Sequence, residues 1–343
     1  MFNQNYTEKN IKSQDVRKME KRQDKKVLST AKEKKLIHEV FYSFMQKIYK
    51  NGLISESKIK AVSDCAMILQ FITNQTRSVF SLVGGSFCND RMCPICSWRL
   101  ARKTAVVLLE LLQYAKVKLD KEFIFLSLTA PNVAAEKLND EITDYNKSFE
   151  RLAKTKAFQN VSLGYIRKLE ITYNSEKNTY HPHFHVIIAV TPQYFKSRHY
   201  LSREKWLKMW QKAKRDETIT QVDVRKIKMD SIKEVFEIAT YSTKQKQLYN
   251  NFEVFEVLRN AFRGRRIIVY NGLFRELKKL RDNGELDISD LENLQGLKDT
   301  ADREIYYKWC SEMKEYGELK EKELSEEDFK KIYNIDFSGL EED

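Results

Sequence analysis

Two alternating runs separated by five polar residues constrain this chain more than any other feature. Tyr165–Tyr173 sets Ile166, Lys168, Glu170 and Thr172 against Arg167, Leu169, Ile171 and Tyr173; Asn174–Asn178 is a polar turn, and His183–Val190 follows. In a strand, successive side chains point to opposite faces, so two such runs across a short polar turn predict an antiparallel hairpin. Upstream, Phe123–Thr129 also has a period of two and is closed by Pro131-Asn132, which predicts another strand. Helices are expected over about 135–158, 203–215 and 231–249, with a strand at 221–227. A helix–strand–helix stretch should occupy 252–281. No internal repeat is visible. This order predicts an α+β fold with a central antiparallel sheet and flanking helices.

The rest of the chain reads as helix. Trp98–Lys118 is rich in helix formers with an apolar face of Val106, Val107, Leu109, Leu111 and Leu112, and helical patterns cover about 35–49 and 59–72. Residues 1–36 hold 11 Lys/Arg and 5 acids with little apolar periodicity, and read as a basic mobile arm. The expected division is this arm, a helical region with a cysteine cluster over 37–118, the sheet domain over 119–285, and a helical acidic tail over 286–343.

Composition narrows the partner and the compartment. The 343 residues include 61 Lys+Arg and 49 Asp+Glu, a net charge of +12. Ser311–Asp343 holds 12 acidic and 5 basic residues, a net −7, so residues 1–310 carry +19. A body this basic suggests a polyanionic partner, although Lys-rich solvated surfaces are common. No apolar run approaches the ~18–20 residues of a membrane span, and Met1–Asn5 does not open a secretory signal. Five cysteines, three of them bunched, argue against a disulfide scaffold, so a cytoplasmic protein is expected.

Three of the five histidines fall within His181-Pro182-His183-Phe184-His185. His183 and His185 share a strand face, and pairing across the turn at 174–178 brings Glu170 beside them. Two imidazoles and one carboxylate leave coordination positions open, as catalytic metal sites do, and suit Mn²⁺ or Mg²⁺ acting on a phosphate. His181 reads as a proton carrier or a surface residue. In the helix over 231–249, Glu237, Tyr241 and Lys244 stand at i, i+4 and i+7, on the side opposite Ile232, Val235, Phe236, Ala239 and Thr243. A phenol can attack a phosphodiester, a cation or metal helps to form phenoxide, and a carboxylate one turn away can accept a proton. An ordinary surface helix has the same pattern; the histidine strand gives it force.

Cys88-x4-Cys93-Pro94-Ile95-Cys96 has knuckle-like spacing, and Cys65 stands upstream. Four thiolates would close a structural Zn²⁺ site; Cys310 is the less favoured fourth ligand, and buried reduced thiols are the plainer alternative. Arg91, Arg99, Arg102 and Lys103 crowd this cluster and can contact phosphates.

The motif Phe125–Asn132, then His181–His185, then Glu237-x3-Tyr241-x2-Lys244 resembles, in that order, the HUH (His–hydrophobic–His) endonucleases. Within them the chain is similar to the rolling-circle replication initiators (Rep) of small Gram-positive plasmids, over roughly residues 60–280. Phe87–Arg99, Trp206–Gln211 and Gly264–Gly272 add to the likeness, and Arg263, Arg265 and Arg266 are read with it as DNA contacts. The resemblance implies an RRM/ferredoxin-like sheet and a metal held by His183, His185 and Glu170 against the scissile phosphate of origin DNA. It implies that Tyr241 forms a 5′-phosphotyrosyl link and frees a 3′-OH for a host polymerase. Glu237 then directs a terminating hydrolysis, and Lys244 orients the phosphate or lowers the phenol pKa. A host helicase and single-strand-binding protein are implied partners. A transposase or mobilisation relaxase of the same chemistry, or a non-catalytic origin-binding regulator, are the competing readings.

Overall fold

The computed structural model describes residues 5–75, 77, 80–228, 235, 238, 239, 248–286 and 301–325, with side chains from residue 24 onwards. The chain falls into two compact units, Met1–Arg99 with Glu292–Glu342, and Leu100–Leu291.

The first unit holds α1 (Asn5–Lys50), α2 (Glu56–Ser63), β1 (Ile68–Thr73) and β2 (Phe80–Gly85), with β8 (Arg303–Cys310) and β9 (Glu315–Glu323) returning from the far end of the sequence. The four strands form an antiparallel sheet in the order β2-β1-β8-β9. Phe71 stacks on Phe80 at 4.4 Å between ring centroids, and Tyr307 meets Phe71 edge-on at 5.8 Å. Edge strand β9 is exposed and alternates Glu with Lys, which discourages further strand pairing.

Helix α3 (Pro94–Val117) leads into the second unit. There β3 (Glu122–Leu128), β4 (Gly164–Asn174), β5 (Thr179–Val190), β6 (Val222–Lys226) and β7 (Ile268–Gly272) form a five-stranded antiparallel sheet in the order β6-β3-β5-β4-β7. The hairpin β4–β5 lies near its middle. One sheet face packs Phe123, Phe125, Ile166, Ile187 and Ala189 against Leu108, Leu111 and Leu112 of α3 and Phe274 and Leu277 of α8 (Leu273–Asp282). Val235, Ile238 and Ala239, all helical, are buried in the same cluster. The other face is aromatic. Phe184 meets Tyr145 and Phe149 of α4 (Leu138–Ala153) edge-on at 5.4 and 5.8 Å, and Tyr145 contacts Trp210 of α6 (Arg203–Lys214) at 5.6 Å. Each such ring, fully buried, contributes roughly 1.5–3 kcal/mol. The described residues of the unit also include α5 (Lys156–Gln159) and α7 (Phe252–Phe262). Gly272, at φ +54°, turns β7 into α8; a Cβ there would stand 2.6 Å from the Leu163 carbonyl oxygen, so the position requires glycine.

The α+β class and the central antiparallel sheet are as expected, and three segments depart from expectation. Residues 5–36, expected to form a basic arm with little apolar periodicity, are helical and make the first part of α1. No Pro or Gly interrupts Asn5–Lys50, and the buried stripe Ala31, Lys35, His38, Phe41, Met45 and Ile48 has helical spacing. Two of those buried positions are polar, which hides the periodicity. Residues 59–72 are not one helix: α2 ends at Ser63, and Ile68–Thr73 is a strand paired on both sides. A short apolar run does not separate the two states by itself. Residues 303–323, within the expected helical tail, are strands. Ile305, Tyr307 and Trp309 alternate into the core, and β9, for all its helix-forming Glu and Lys, is held extended by its ladder with β8.

Candidate metal centre

The hairpin register decides what the histidines face. On β4 and β5, Glu170 is paired with His183, Lys168 with His185 and Thr172 with His181. Alternation therefore places the three histidines on one face with Lys168 and Glu170. Glu170 Oε2 lies 3.2 Å from His185 Nε2 and 3.8 Å from His183 Nε2. One ligand atom from each of the three residues falls within 4.8 Å of the others. Metal bonds of ~2.1 Å at angles of 90–120° put neighbouring ligand atoms about 3.0–3.7 Å apart, so this group can hold a cation.

Both imidazoles are oriented from behind. His183 Nδ1 lies 3.2 Å from the His181 carbonyl oxygen, an acceptor, so it carries the proton and leaves the Nε2 lone pair towards Glu170. His185 Nδ1 lies 3.0 Å from Ser127 Oγ on β3, and its ring stacks on Phe125 at 5.3 Å. Partners of this kind fix the tautomer of a ligating histidine. Burial tends to raise the Glu170 carboxyl pKa, but the His185 hydrogen bond and the charges of Lys168 and the histidines outweigh it and hold the group below its ordinary value. His181 is not among the three. Its ring stacks on His183 at 5.1 Å and lines an open groove with Asn132, Thr172 and Tyr173.

Burial lowers the His183 pKa from 6.5 to about 4. Between these values the unfolded chain binds the proton and the folded one does not, so stability rises with pH across the window and is lost as pH falls from 6.5 towards 4. Metal-free protein is expected to lose on the order of 3 kcal/mol from this residue. Urea unfolding at pH 6.5, 5.5 and 4.5 checks it, with a shallower acid loss in His183→Gln. His38, also held down to about 4 by burial, titrates in both proteins and cancels from the comparison.

The cysteines come together in the first unit. Cys65 follows α2, Cys88 lies in the loop after β2, and Cys93 and Cys96 flank Pro94 at the start of α3. Cys65 Sγ is 3.6 Å from those of Cys93 and Cys96, and Cys88 Sγ is 3.7 Å from Cys96. A tetrahedral zinc with bonds of ~2.3 Å sets its sulfurs about 3.8 Å apart, far beyond the ~2.05 Å of a disulfide. All four are buried, and they form a group that can hold zinc; Cys310 stands outside it in β8. Hydrogen bonds from Cys88, Cys93 and Cys96 pull the Cys65 thiol far down, while burial pushes Cys93 well up. Four thiolates so close need a cation between them. Lys35 of α1, 4% exposed, donates to the Cys65 carbonyl and adds positive charge beside the cluster.

The family described as "Replication protein" matches residues 79–317. A "Protein rep" from Streptococcus pneumoniae is 32% identical over 253 residues, covering 72% of this chain and 77% of its own. The chain belongs to the replication protein family. A "Protein rep" from Staphylococcus aureus is 44% identical over 213 residues, 62% of this chain and 91% of its own. Another from Lentilactobacillus hilgardii is 31% identical over 274 residues, 75% and 86% of the two chains. No solved structure matches. The motif resemblance to replication initiators is thereby borne out.

The remaining candidate residues of this replication-family chain fall in three groups. Glu237, Tyr241 and Lys244 lie outside the described residues. Of the basic residues near the cysteines, Arg102 is exposed and Arg91 and Lys103 are half-buried. Arg99 stacks over Phe87 at 4.3 Å and donates to Asn89. Arg263 and Arg266 are exposed, whereas Arg265 donates to Asn139, Thr143 and the Ala261 carbonyl, tying the end of α7 to α4. Sequence reasoning placed Lys168 on the ligand face and Ser127 in a motif without giving either a role. The signal was there: a lysine two residues before the carboxylate, on the same face of one strand. Among the described residues no helix is long and apolar enough to cross a membrane.

Proposed function

We propose that this replication protein initiates rolling-circle replication of a small plasmid by nicking and rejoining single-stranded DNA at the double-strand origin. Glu170, His183 and His185 would hold Mn²⁺ or Mg²⁺, and such an ion would supply Lewis-acid polarisation of the scissile phosphate. The Tyr241 phenol gives its proton to solvent, its oxygen attacks phosphorus, the bond from phosphorus to the 3′-oxygen breaks, and that oxygen takes a proton from solvent and leaves as a 3′-OH. The 5′-phosphate stays on the tyrosine, and the 3′-OH is extended by a host polymerase with a helicase and single-strand-binding protein in attendance. Lys244 orients the phosphate or lowers the phenol pKa. Glu237 accepts the proton of the water that ends the cycle. Exposed Arg263, Arg266 and Arg102, with the basic residues beside them, contact phosphates.

One observation carries this reading. Val235, Ile238 and Ala239 are buried with Phe125 and Ile187, on the sheet face that bears His183 and His185. Tyr241 follows Ala239 by two residues in the sequence. Three described residues of the segment expected to supply the nucleophile thus pack on the side of the sheet that carries the candidate metal ligands.

The test is a denaturing gel after incubation with Mn²⁺ and a labelled origin, single-stranded or supercoiled. Wild type and Glu237→Ala are expected to form a covalent protein–DNA adduct, and Tyr241→Phe none. Tight binding without an adduct in any of them overturns the enzymatic reading in favour of an origin-binding regulator.

A further inference from the structure

The face of the hairpin that carries the candidate ligands buries a lysine among them. Lys168 stands two residues before Glu170 on β4 and directly across from His185 on β5. It is 1% exposed, and its Nζ lies 3.8 Å from Glu170 Oε2. A buried ammonium is costly unless it is paired, and the cation here is paired with a carboxylate assigned to a metal. Lys168 and a divalent ion therefore compete for the same negative charge. Counting the described residues Lys168, Glu170, His183 and His185, with neutral imidazoles and an ionised Glu170, the group has no net charge with Lys168 and −1 without it. An entering divalent ion meets a neutral group, and the loaded site presents +2 to an anion instead of +1.

We infer that Lys168 couples metal binding to DNA binding, weakening the divalent ion on the free protein and strengthening the hold on a phosphodiester once the ion is present. The inference rests on the metal reading of Glu170, His183 and His185. A phosphodiester brings −1 to a site that is over-positive by the lysine, so each ligand raises the affinity of the other by the same factor. The device keeps the nucleophile's metal from being held tightly before the substrate phosphate arrives. Lys168 acts through the field it sets at Glu170, so it is a positioning residue.

A role confined to holding the Glu170 side chain gives the opposite sign, and this separates the two. Mn²⁺ binding is measured by titration calorimetry for wild type, Lys168→Met, Lys168→Gln and Lys168→Arg, alone and with a (dT)12 strand. All proteins carry Tyr241→Phe so that no covalent step intervenes. Without DNA, Lys168→Met is expected to bind Mn²⁺ about tenfold more tightly than wild type, which is what a unit charge ~5 Å from a divalent ion does even at the dielectric constant of water. The gain in Mn²⁺ affinity that (dT)12 gives wild type should shrink in Lys168→Met and persist in Lys168→Arg. Lys168→Gln carries the same sign as Met and serves if the apolar replacement fails to fold. Equal or weaker Mn²⁺ binding by the neutral variants overturns the inference while leaving the metal site intact. No Mn²⁺ binding by wild type, with or without DNA, overturns the metal reading and the inference with it.

Discussion

Cys65→Ala is expected to release the zinc and unfold the unit built around it. The four cysteines reach the cluster from three separate segments: the end of α2, the loop after β2, and the start of α3. None of these segments has a large apolar surface of its own, and Lys35 is buried against the Cys65 carbonyl. Structural zinc contributes about 10–16 kcal/mol of apparent binding energy at neutral pH, comparable with or larger than the ~5–15 kcal/mol stability of a whole domain. Losing one ligand opens the tetrahedron and leaves three close thiols that cannot all ionise together. Wild type should carry one zinc per chain by elemental analysis, and Cys65→Ala much less. Amide exchange at Phe71 and Ile72 in β1 and at Tyr307 in β8 should rise by orders of magnitude. Cys310→Ala, which removes a thiol outside the cluster, should keep its zinc. Full zinc and unchanged exchange in Cys65→Ala would show that the cysteines are merely buried thiols.

How much of this was legible in the sequence varies with the range of the forces involved. The hairpin β4–β5 was, because its alternation and its polar turn are local. The meeting of Glu170 with the two histidines followed once the turn at 174–178 fixed the register, since a slip of one residue would have sent Glu170 to the aromatic face. The cysteine spacing showed three members plainly and Cys65 by elimination of distance, with nothing local to prefer it over Cys310. The sheet of the first unit was not legible. Its β1–β8 ladder joins residues 230 to 240 positions apart, and β9 consists of residues that favour helix until β8 pairs with them. The long α1 was hidden for a different reason. Lys35 and His38 occupy its buried stripe and interrupt the apolar signal, and what they face is the neighbourhood of Cys65 and Val62, reached only through tertiary folding. Lys168 shows the same limit at the site: alternation gives its face, while its pairing with Glu170 has meaning only beside His185.

Glu170→Gln is expected to abolish metal-dependent cleavage, with a loss of three orders of magnitude or more in the rate of adduct formation. The amide keeps the volume and an oxygen but removes the negative charge that Glu170 brings to the cluster. Among the described residues, what faces the incoming divalent ion is then two imidazoles and the Lys168 ammonium. Mn²⁺ affinity should fall at least 100-fold, in keeping with a lost charged ligand. The substitution also removes the Lys168–Glu170 ion pair, so the metal-free variant should melt at lower temperature than wild type, because breaking the pairing of a buried charge is costly. DNA binding by the basic surface should survive, with its ordinary weakening as salt rises, since those contacts do not pass through the metal. His185→Ala should match the loss of cleavage without that loss of ion pairing. Chelation of wild type should reproduce the cleavage defect, and Mn²⁺ should reverse it there but not in Glu170→Gln. A variant that still cleaves with Mn²⁺ at near wild-type rate would place the third ligand elsewhere and leave Glu170 as the partner that keeps Lys168 and His185 in position.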